Sequence, residues 1–374
     1  MNVPFPGFAH ATARVHLHSL GVTERTVRWF LESGIQLPSG GVARYYRADT
    51  QNMRPVSSEI TGYAAAFLTY LHDLTGNARC QEAAVKAARF LTRTAWNPVL
   101  SAFSFEVEPP GASLAYFFDS GIIVRGLLAL WRATGDEEFR DTALGCAQAM
   151  ARDFRAPSGY HPILSLVDKR PIPAESRWSR NPGCYQLKAA MAWLEVAEAT
   201  GEENFISLYE AELAGALRSQ AGFLDAETDQ ERVMDRLHAY CYFLEGLLPR
   251  SNRPDCAAAL CAGIVRVKRL LDKIGPSFER CDVVAQLLRV RLYASALHVA
   301  PLDTEAASAE AAALGLFQYK HEDPRVDGAF CFGRRGSEWA PYANPVSTAF
   351  SVQALEMWRL YQAGEFKASV ADLI

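Results

Sequence analysis

The chain has 374 residues and a formal net charge of −4, and it contains no Lys/Arg-rich run, so nucleic acid and anionic membranes are not expected partners. Hydrophobic residues make up 49% of the sequence and charged residues 21%, which is typical of a globular protein. No uninterrupted apolar stretch reaches the roughly 18 residues that a membrane helix needs, and the N-terminus lacks the apolar segment of an export signal. We therefore predict a cytoplasmic protein without membrane insertion.

The eight cysteines are scattered and show neither a C-x-x-C motif nor a zinc-type spacing. Several lie inside apolar runs such as AYCYFL, which is typical of buried, reduced thiols. Glycine-rich phosphate loops, G-x-S-x-G and H-E-x-x-H are also absent from the sequence. We predict no metal and no cofactor.

The first two predicted helices lie near residues 23–34, after an N-terminal arm at residues 1–22, and near residues 59–74. The second, in SSEITGYAAAFLTYLHDLTGN, is mainly apolar but carries Glu59 in its first turn. A carboxylate there either caps its own helix or faces a ligand. The chain repeats this arrangement, so the first turns of the later helices help to decide between these two roles.

Three phrases repeat along the chain: LTGNARCQEAA, ATGDEEFRDTA and ATGEENFISLY. In each, a glycine (Gly76, Gly135 or Gly201) ends one helix, and polar residues follow that can start the next. An apolar helix precedes each phrase and a more amphipathic helix follows it. The repeating unit is therefore a helical hairpin of about sixty residues.

Extending the hairpin pattern predicts six apolar helices, near residues 59–74, 118–133, 184–199, 235–248, 280–298 and 345–361. Five amphipathic partners follow, near residues 78–95, 137–153, 203–220, 254–273 and 303–316. The missing sixth partner is the helix at residues 23–34, which would close a ring against the last apolar helix. Apolar helices belong inside and amphipathic ones outside. We predict an all-α (α/α)6 toroid that forms a single domain over residues 1–374.

In such a ring every inner helix begins at the same end, so polar residues at these starts gather around one funnel. Long loops at residues 97–116, 154–182 and 317–343 lie at that end, and loops of this length are usually functional. Segments AFSFEVEP and GAFCFG within them favour short extended pieces. The candidate funnel residues are Glu59, Tyr63, Asp119, Trp178, Tyr185, Gln186, Arg236, His238, Tyr240, Asp282, Arg334, Glu338, Trp339 and Asn344.

Carboxylates, amides and aromatic rings around a concave site suit a saccharide, because the polar groups bind hydroxyls and the rings stack on sugar faces. Structural explanations remain open for several of these residues. Glu59 could cap its helix, His238 could be a core histidine, and Asp282 could pair with Arg280 or Arg289. Tyr185 and Gln186 could simply link helices. These readings stay open at the level of sequence.

The segments SSEITGYAAAFL, FFDSGIIVRGLLALWRATGD, HAYCYFLEGLL and YANPVSTAFSVQAL make the chain resemble the six-hairpin glycosidase-like superfamily over nearly its whole length. Within it, the chain looks like uncharacterised proteins of bacterial polysaccharide gene clusters. The pattern that begins at Asp119 is also similar to the unsaturated uronyl hydrolases, in which an inner-helix aspartate acts. This resemblance implies a catalytic role for Asp119.

We predict a carbohydrate-active protein, most simply a hydrolase of uronate-containing oligo- or polysaccharides with Asp119 and Glu59 as the acid–base pair. A lyase or epimerase is the alternative, with His238 or Tyr240 as the base and Arg236 or Asn344 neutralising the substrate carboxylate. A glycan-binding protein without turnover is a third possibility. Its mark would be funnel carboxylates held in ion pairs with Arg236, Arg280 or Arg334. Neither the sugar nor the oligomeric state follows from the sequence.

Overall fold

The computed structural model describes residues 15–107, 114–175, 177–225 and 227–374, with side chains from residue 21 onward. Within these residues the chain forms twelve α-helices: α1 Val15–Glu32, α2 Ser58–Thr75, α3 Ala78–Phe90, α4 Phe117–Thr134, α5 Glu137–Asp153, α6 Gln186–Thr200, α7 Asn204–Phe223, α8 Gln230–Leu247, α9 Pro254–Ile274, α10 Cys281–Ala296, α11 Thr304–Gly315 and α12 Pro345–Gln362. In this part of the chain, no helix combines the length and the apolar character that crossing a membrane requires.

The even-numbered helices form a closed inner ring in the order α2, α4, α6, α8, α10 and α12, and α12 packs back against α2. The odd-numbered helices surround them. Helix α1 packs on α12, where the Thr23 hydroxyl donates a 2.6 Å hydrogen bond to the Glu356 carboxylate. This confirms the predicted (α/α)6 toroid and its closure by the N-terminal helix. One boundary was wrong: α1 begins at Val15, so residues 15–22 of the predicted arm are helical.

The repeated phrase ends the inner helices as predicted. Gly76 and Gly135 adopt left-handed conformations with φ of 69° and 70°, which cost glycine little because it has no Cβ. The next residues, Asn77 and Asp136, then cap α3 and α5 by accepting backbone N–H groups of their first turns. Gly201 ends α6 in the same way, with φ of 77°, but α7 begins without a side-chain cap.

Helices α2 and α4 approach each other unusually closely. A Cβ added to Gly126 would lie 2.3 Å from the Gly62 carbonyl oxygen, and one added to Gly62 would lie 2.9 Å from the Ile123 Cα. Two glycines thus remove the side chains that normally keep helix axes about 8–10 Å apart. This contact places the starts of α2 and α4 side by side.

The strands are short and lie in the loops that lead into the inner helices. Their bounds are Tyr46–Arg47, Asn52–Met53, Trp96–Asn97, Ala102–Phe103, Leu114–Tyr116, Ile163–Ser165, Glu279–Arg280, Gly333–Arg335, Glu338–Trp339 and Tyr342–Ala343. All pairings are antiparallel, and Tyr46 pairs with Ala343, which ties the loop before α2 to the loop before α12. Both segments predicted to be extended contain a strand or its edge, although the strands are only two or three residues long.

Residues 369–374, which include a one-turn helix at Val370–Asp372, lie across the end of the ring opposite the loops, and residues 371–374 line a cavity of about 530 Å³ there. Their backbone carbonyl groups accept hydrogen bonds from the inner helices: Tyr293 to Ser369 (2.6 Å), Gln353 to Asp372 (2.6 Å), Arg125 to Leu373 (2.7 Å), and Lys188 and Arg289 to Ile374 (3.0 and 3.2 Å). Lys188 and Arg289 also form ion pairs with the fully buried Glu245. The ring is therefore closed below by a buried, charged layer.

Candidate active site

Glu59 and Asp119 lie next to each other at the loop end of the ring. Glu59 precedes Gly62 by three residues, and Asp119 precedes Ile123 by four, so both carboxylates lie about one helical turn above the close contact between α2 and α4. Glu59 is partly exposed, and Asp119 is 7% exposed. The two carboxylates predicted to form a pair are therefore brought together.

Neither carboxylate is stabilised by an ion pair with a described residue, and the buried Oδ2 of Asp119 has no hydrogen-bond partner among them. Burial raises the pKa of Glu59 to about 7, against a smaller lowering by Arg44. Burial, and then the charge of Glu59, raise the pKa of Asp119 well above its usual range. Two adjacent carboxyls that resist losing both protons are typical of an acid–base pair.

Aromatic side chains pack together below the two carboxylates. Tyr63 lies one turn below Glu59, and its ring meets Phe350 edge-on at 5.4 Å. Tyr242 lies 6.3 Å from Phe350 and 4.6 Å from Phe118, the neighbour of Asp119. These rings pack on one another and hold the inner helices in place below the carboxylates, and only Phe118 among them is partly exposed.

His238 is on the opposite side of the ring, on α8. Its Nδ1 lies 2.8 Å from Gln286 Oε1, which can only accept, so Nδ1 carries the proton and Nε2 is left with its lone pair. Burial lowers the pKa of His238 to about 4, and the carboxylate of Asp282, 3.5 Å from Nδ1, only partly opposes this. His238 is therefore neutral at pH 7. The Gln286 amide nitrogen is buried without a partner in the described residues.

Asp282 is held by Arg280 through two hydrogen bonds of 3.0 and 2.6 Å, and Arg280 also binds Asp235 at 2.8 Å. The sequence left this pairing open as an alternative to ligand binding. Arg334 is likewise paired with Glu279 at 2.8 Å. Asp282 thus has the ion pair expected of a structural group, whereas Glu59 and Asp119 do not.

Four predicted site residues have structural partners away from the two carboxylates. Tyr240 was predicted to share a site with His238, but its hydroxyl bonds Gln220 of the outer helix α7 at 2.8 Å, because residues two apart point to opposite faces of a helix. The other three bonds are Arg236 to the Phe223 carbonyl (2.9 Å), Gln186 to the Tyr160 carbonyl (3.2 Å), and Asn344 to the Ser347 backbone N–H that it caps (2.9 Å).

The aromatic residues predicted in the loops pack against neighbouring rings. Trp178 packs edge-on against Tyr185 with ring centres 4.9 Å apart, and Tyr185 lies 6.1 Å from Phe118. The Tyr185 hydroxyl donates to the Asn181 carbonyl at 3.0 Å, so it fastens the loop. Trp339 packs against Phe317 at 5.1 Å, and its neighbour Glu338 is exposed.

Tyr242, Gln286, Phe350 and Arg44 belong to the site and were not predicted. The first three follow a candidate or a helix-start residue at helical spacing: Tyr242 is four residues after His238, Gln286 is four after Asp282, and Phe350 is three after Ser347. That signal was available in the sequence. Arg44 lies in an irregular loop and carries no such signal. In the described residues, no group of three or more His, Cys, Asp or Glu side chains is placed to hold a metal ion.

Solved structures of low sequence identity share this architecture. A sugar epimerase from a ruminal bacterium has a TM-score of 0.71 at 11% identity and covers 91% of this chain and 98% of its own. A cellobiose 2-epimerase from Spirochaeta thermophila has a TM-score of 0.68 at 15% identity, covering 91% and 97%. An unsaturated glucuronyl hydrolase from Bacillus sp. GL1 has a TM-score of 0.63 at 15% identity, covering 93% and 97%.

These likenesses, together with the closed double ring of helices, define the fold class: an (α/α)6 toroid. No family model matches the sequence, and no curated protein matches it. Both hydrolases and epimerases occur among the structural neighbours, so the reaction has to be argued from the site itself.

Proposed function

We propose that the protein hydrolyses a uronate-containing saccharide, with Asp119 as the general acid and Glu59 as the general base. The observation that supports this most directly is the pair of adjacent carboxyls that lack ion pairs and have raised pKa values. Structural carboxylates elsewhere in the ring, such as Asp282 and Glu245, are tied to arginine or lysine. The unsatisfied pair is therefore poised for a ligand rather than for the fold.

The assignment of roles follows from the two pKa values. Asp119 keeps its proton at neutral pH and can donate it to the oxygen of the leaving sugar as the carbon–oxygen bond breaks. Glu59, with a pKa of about 7, is partly ionised and can take a proton from the water whose oxygen bonds to the anomeric carbon. Proton exchange with solvent then restores both groups. The partly exposed ring of Phe118, next to Asp119, would contact the sugar.

An epimerase or lyase is the second candidate, and the state of His238 supports it. A neutral imidazole with a free Nε2 lone pair, oriented by Gln286, is a suitable base for removing a proton next to a carbonyl or carboxylate. The partner across the helix turn would be Tyr242 rather than Tyr240. Epimerases of the same fold are consistent with this chemistry.

A panel of uronate-containing and neutral oligosaccharides separates these reactions. Hydrolysis releases new reducing ends, lyase action creates an unsaturated product that absorbs in the ultraviolet, and epimerisation changes the sugar without cleavage. We expect reducing ends, lost in Asp119→Asn and Glu59→Gln. If activity survives both substitutions but is lost in His238→Gln, the hydrolase proposal is wrong and proton abstraction by His238 replaces it.

A further inference from the structure

The mouth of the funnel has arginines that the acid–base pair does not use. We infer that Arg44, Arg177 and Arg180, here called the arginine rim, bind a carboxylate that the saccharide carries on the sugar next to the reacting bond. This inference rests on the proposed function for the position of the reacting bond. The rim itself is a binding site that can be tested without turnover.

The rim is positioned by the residues that lead into α4. Tyr116 precedes Asp119 by three residues and so lies at the mouth, and its ring is 5.0 Å from that of Phe105. The guanidinium of Arg44 lies over the same Phe105 ring at 4.9 Å. Arg44 thus covers the edge of the funnel above the two carboxylates.

Arg177 and Arg180 reach the same edge from the loop before α6. The short helix Trp178–Arg180 is held by the contact of Trp178 with Tyr185 and by the Tyr185 hydroxyl. Consistent with this placement, the positive charges of Arg180, Arg44 and Arg177 all lower the pKa of Tyr116, although burial and Asp119 raise it overall. The loop that carries Arg177 and Arg180 is also anchored beside the site, because Tyr185 lies 6.1 Å from Phe118, the neighbour of Asp119.

The rim carries more positive charge than its partners neutralise. Arg44 pairs with Glu106 at 3.0 Å and Arg180 with Glu175 at 2.6 Å, whereas the exposed Arg177 makes no ion pair with a described residue. One guanidinium of the rim is left over, and Phe105 and Tyr116 add partly exposed rings to the same mouth. A planar carboxylate on a sugar fits both features, because arginine binds carboxylates in a bidentate manner and the rings accept the sugar face.

Among the described residues, the cations that lie deeper in the ring already have carboxylate partners. Arg280 is already shared by Asp282 and Asp235. A substrate carboxylate at the depth of Glu59 and Asp119 would instead meet acidic groups. Like charges in a poorly solvated site repel strongly. The acid group is therefore expected at the mouth, with a less charged part of the sugar below.

The test measures binding in the Asp119→Asn background, so that turnover does not interfere. The probes are one oligosaccharide pool from a uronate polysaccharide and the same pool after its carboxyl groups have been reduced to alcohols. We expect the acidic pool to bind more tightly, and Arg177→Gln to weaken it by about three- to fivefold while leaving the reduced pool unchanged. Added salt should reduce the preference.

Arg79→Gln is the matched control, because Arg79 is an exposed arginine at the start of α3, the opposite end of the ring. The inference about the arginine rim is wrong if Arg177→Gln weakens binding of both pools equally, or if Arg79→Gln weakens binding of the acidic pool to the same extent. The proposed hydrolysis can fail separately. If the protein binds the acidic pool selectively but releases no reducing ends, the proposed hydrolysis is wrong and the arginine rim stands. If it hydrolyses both pools without a charge preference, the arginine rim is wrong and the hydrolysis stands.

Discussion

Replacing Asp119 by asparagine should make the folded protein more stable above neutral pH while abolishing turnover. Asparagine has nearly the same shape but cannot ionise. In the native protein Asp119 is buried beside Glu59, and its Oδ2 bonds no described residue. The substitution removes the repulsion on Glu59 and the cost of ionising a buried carboxyl.

The gain comes from Asp119 itself, because burial and then the charge of Glu59 raise its pKa well above 3.8. The pKa of Glu59, about 7, is raised by the burial of Glu59 and stays raised in the variant. Replacing a buried ionisable group that lacks a partner by a neutral group of the same shape typically stabilises a protein by roughly 1–4 kcal/mol. We expect Asp119→Asn to gain roughly 1–3 kcal/mol at pH 8, which for a chain of 374 residues corresponds to a rise in Tm of about 1–4 °C.

The gain should depend on pH with a definite sign. Because the folded pKa values of Glu59 and Asp119 are raised, the native protein loses stability as pH increases from about 4 through 7. The asparagine variant lacks one of these titrations and should lose less. The two proteins should therefore have similar Tm values at pH 4 and diverge by pH 8. Thermal unfolding across this range, beside the saccharide assay, makes the measurement.

Glu212→Gln is the control. Glu212 is buried on the outer helix α7, and burial raises its pKa to about 7. Its substitution should give a similar pH-dependent gain with activity intact, which separates the stability effect from catalysis. The reasoning fails if Asp119→Asn lowers Tm at pH 8, or if the difference is the same at every pH. A helix-capping carboxylate would behave in that way, because losing its charge weakens the helix start.

Three further changes test the frame around the site. Gly126→Ala should cost about 1–3 kcal/mol in urea unfolding, because its methyl group would strike the Gly62 carbonyl, whereas Gly145→Ala meets only a tryptophan ring at 3.5 Å and should be tolerated. Glu245→Gln should cost about 3–5 kcal/mol by leaving two buried cations without their counter-charge. Because the folded pKa of His238 is lowered to about 4, the native protein loses stability as the pH falls from 6.5 to 4, and His238→Gln should lose less. Unfolding at pH 7 and at pH 4.5 measures this difference.

The ring could be predicted from sequence because its signals are local and repeated. A glycine that must adopt positive φ, followed by a capping residue, marks the turn after an inner helix, and the same phrase recurs. Apolar and amphipathic helices then sort themselves into two layers. Glu59 and Asp119 could be found because the ring brings the starts of all inner helices to one end.

The rest of the site depends on features that single-helix patterns do not carry. Helix α8 begins at Gln230 under the cap of Asp229, about five residues before the predicted start, so His238 lies in its third turn. With a predicted start at residue 235, Tyr240 was expected to share a site with His238. The helical period instead places Tyr242, four residues on, on the same face as His238. Arg44 lies in a loop and is positioned by contacts between distant segments, which no local periodicity reveals.

The lower layer of the ring gives a physical reason why the upper layer can hold unsatisfied carboxyls. Near the loops, Glu59 and Asp119 raise the free energy of the folded state at neutral pH. At the other end, Lys188, Glu245 and Arg289 join three inner helices, and the backbone of residues 369–374 accepts from two of these side chains. Removing one partner from this buried network would leave an uncompensated buried charge, which costs about 3–5 kcal/mol. The helices therefore keep their positions while the carboxyls at their starts remain available to a substrate.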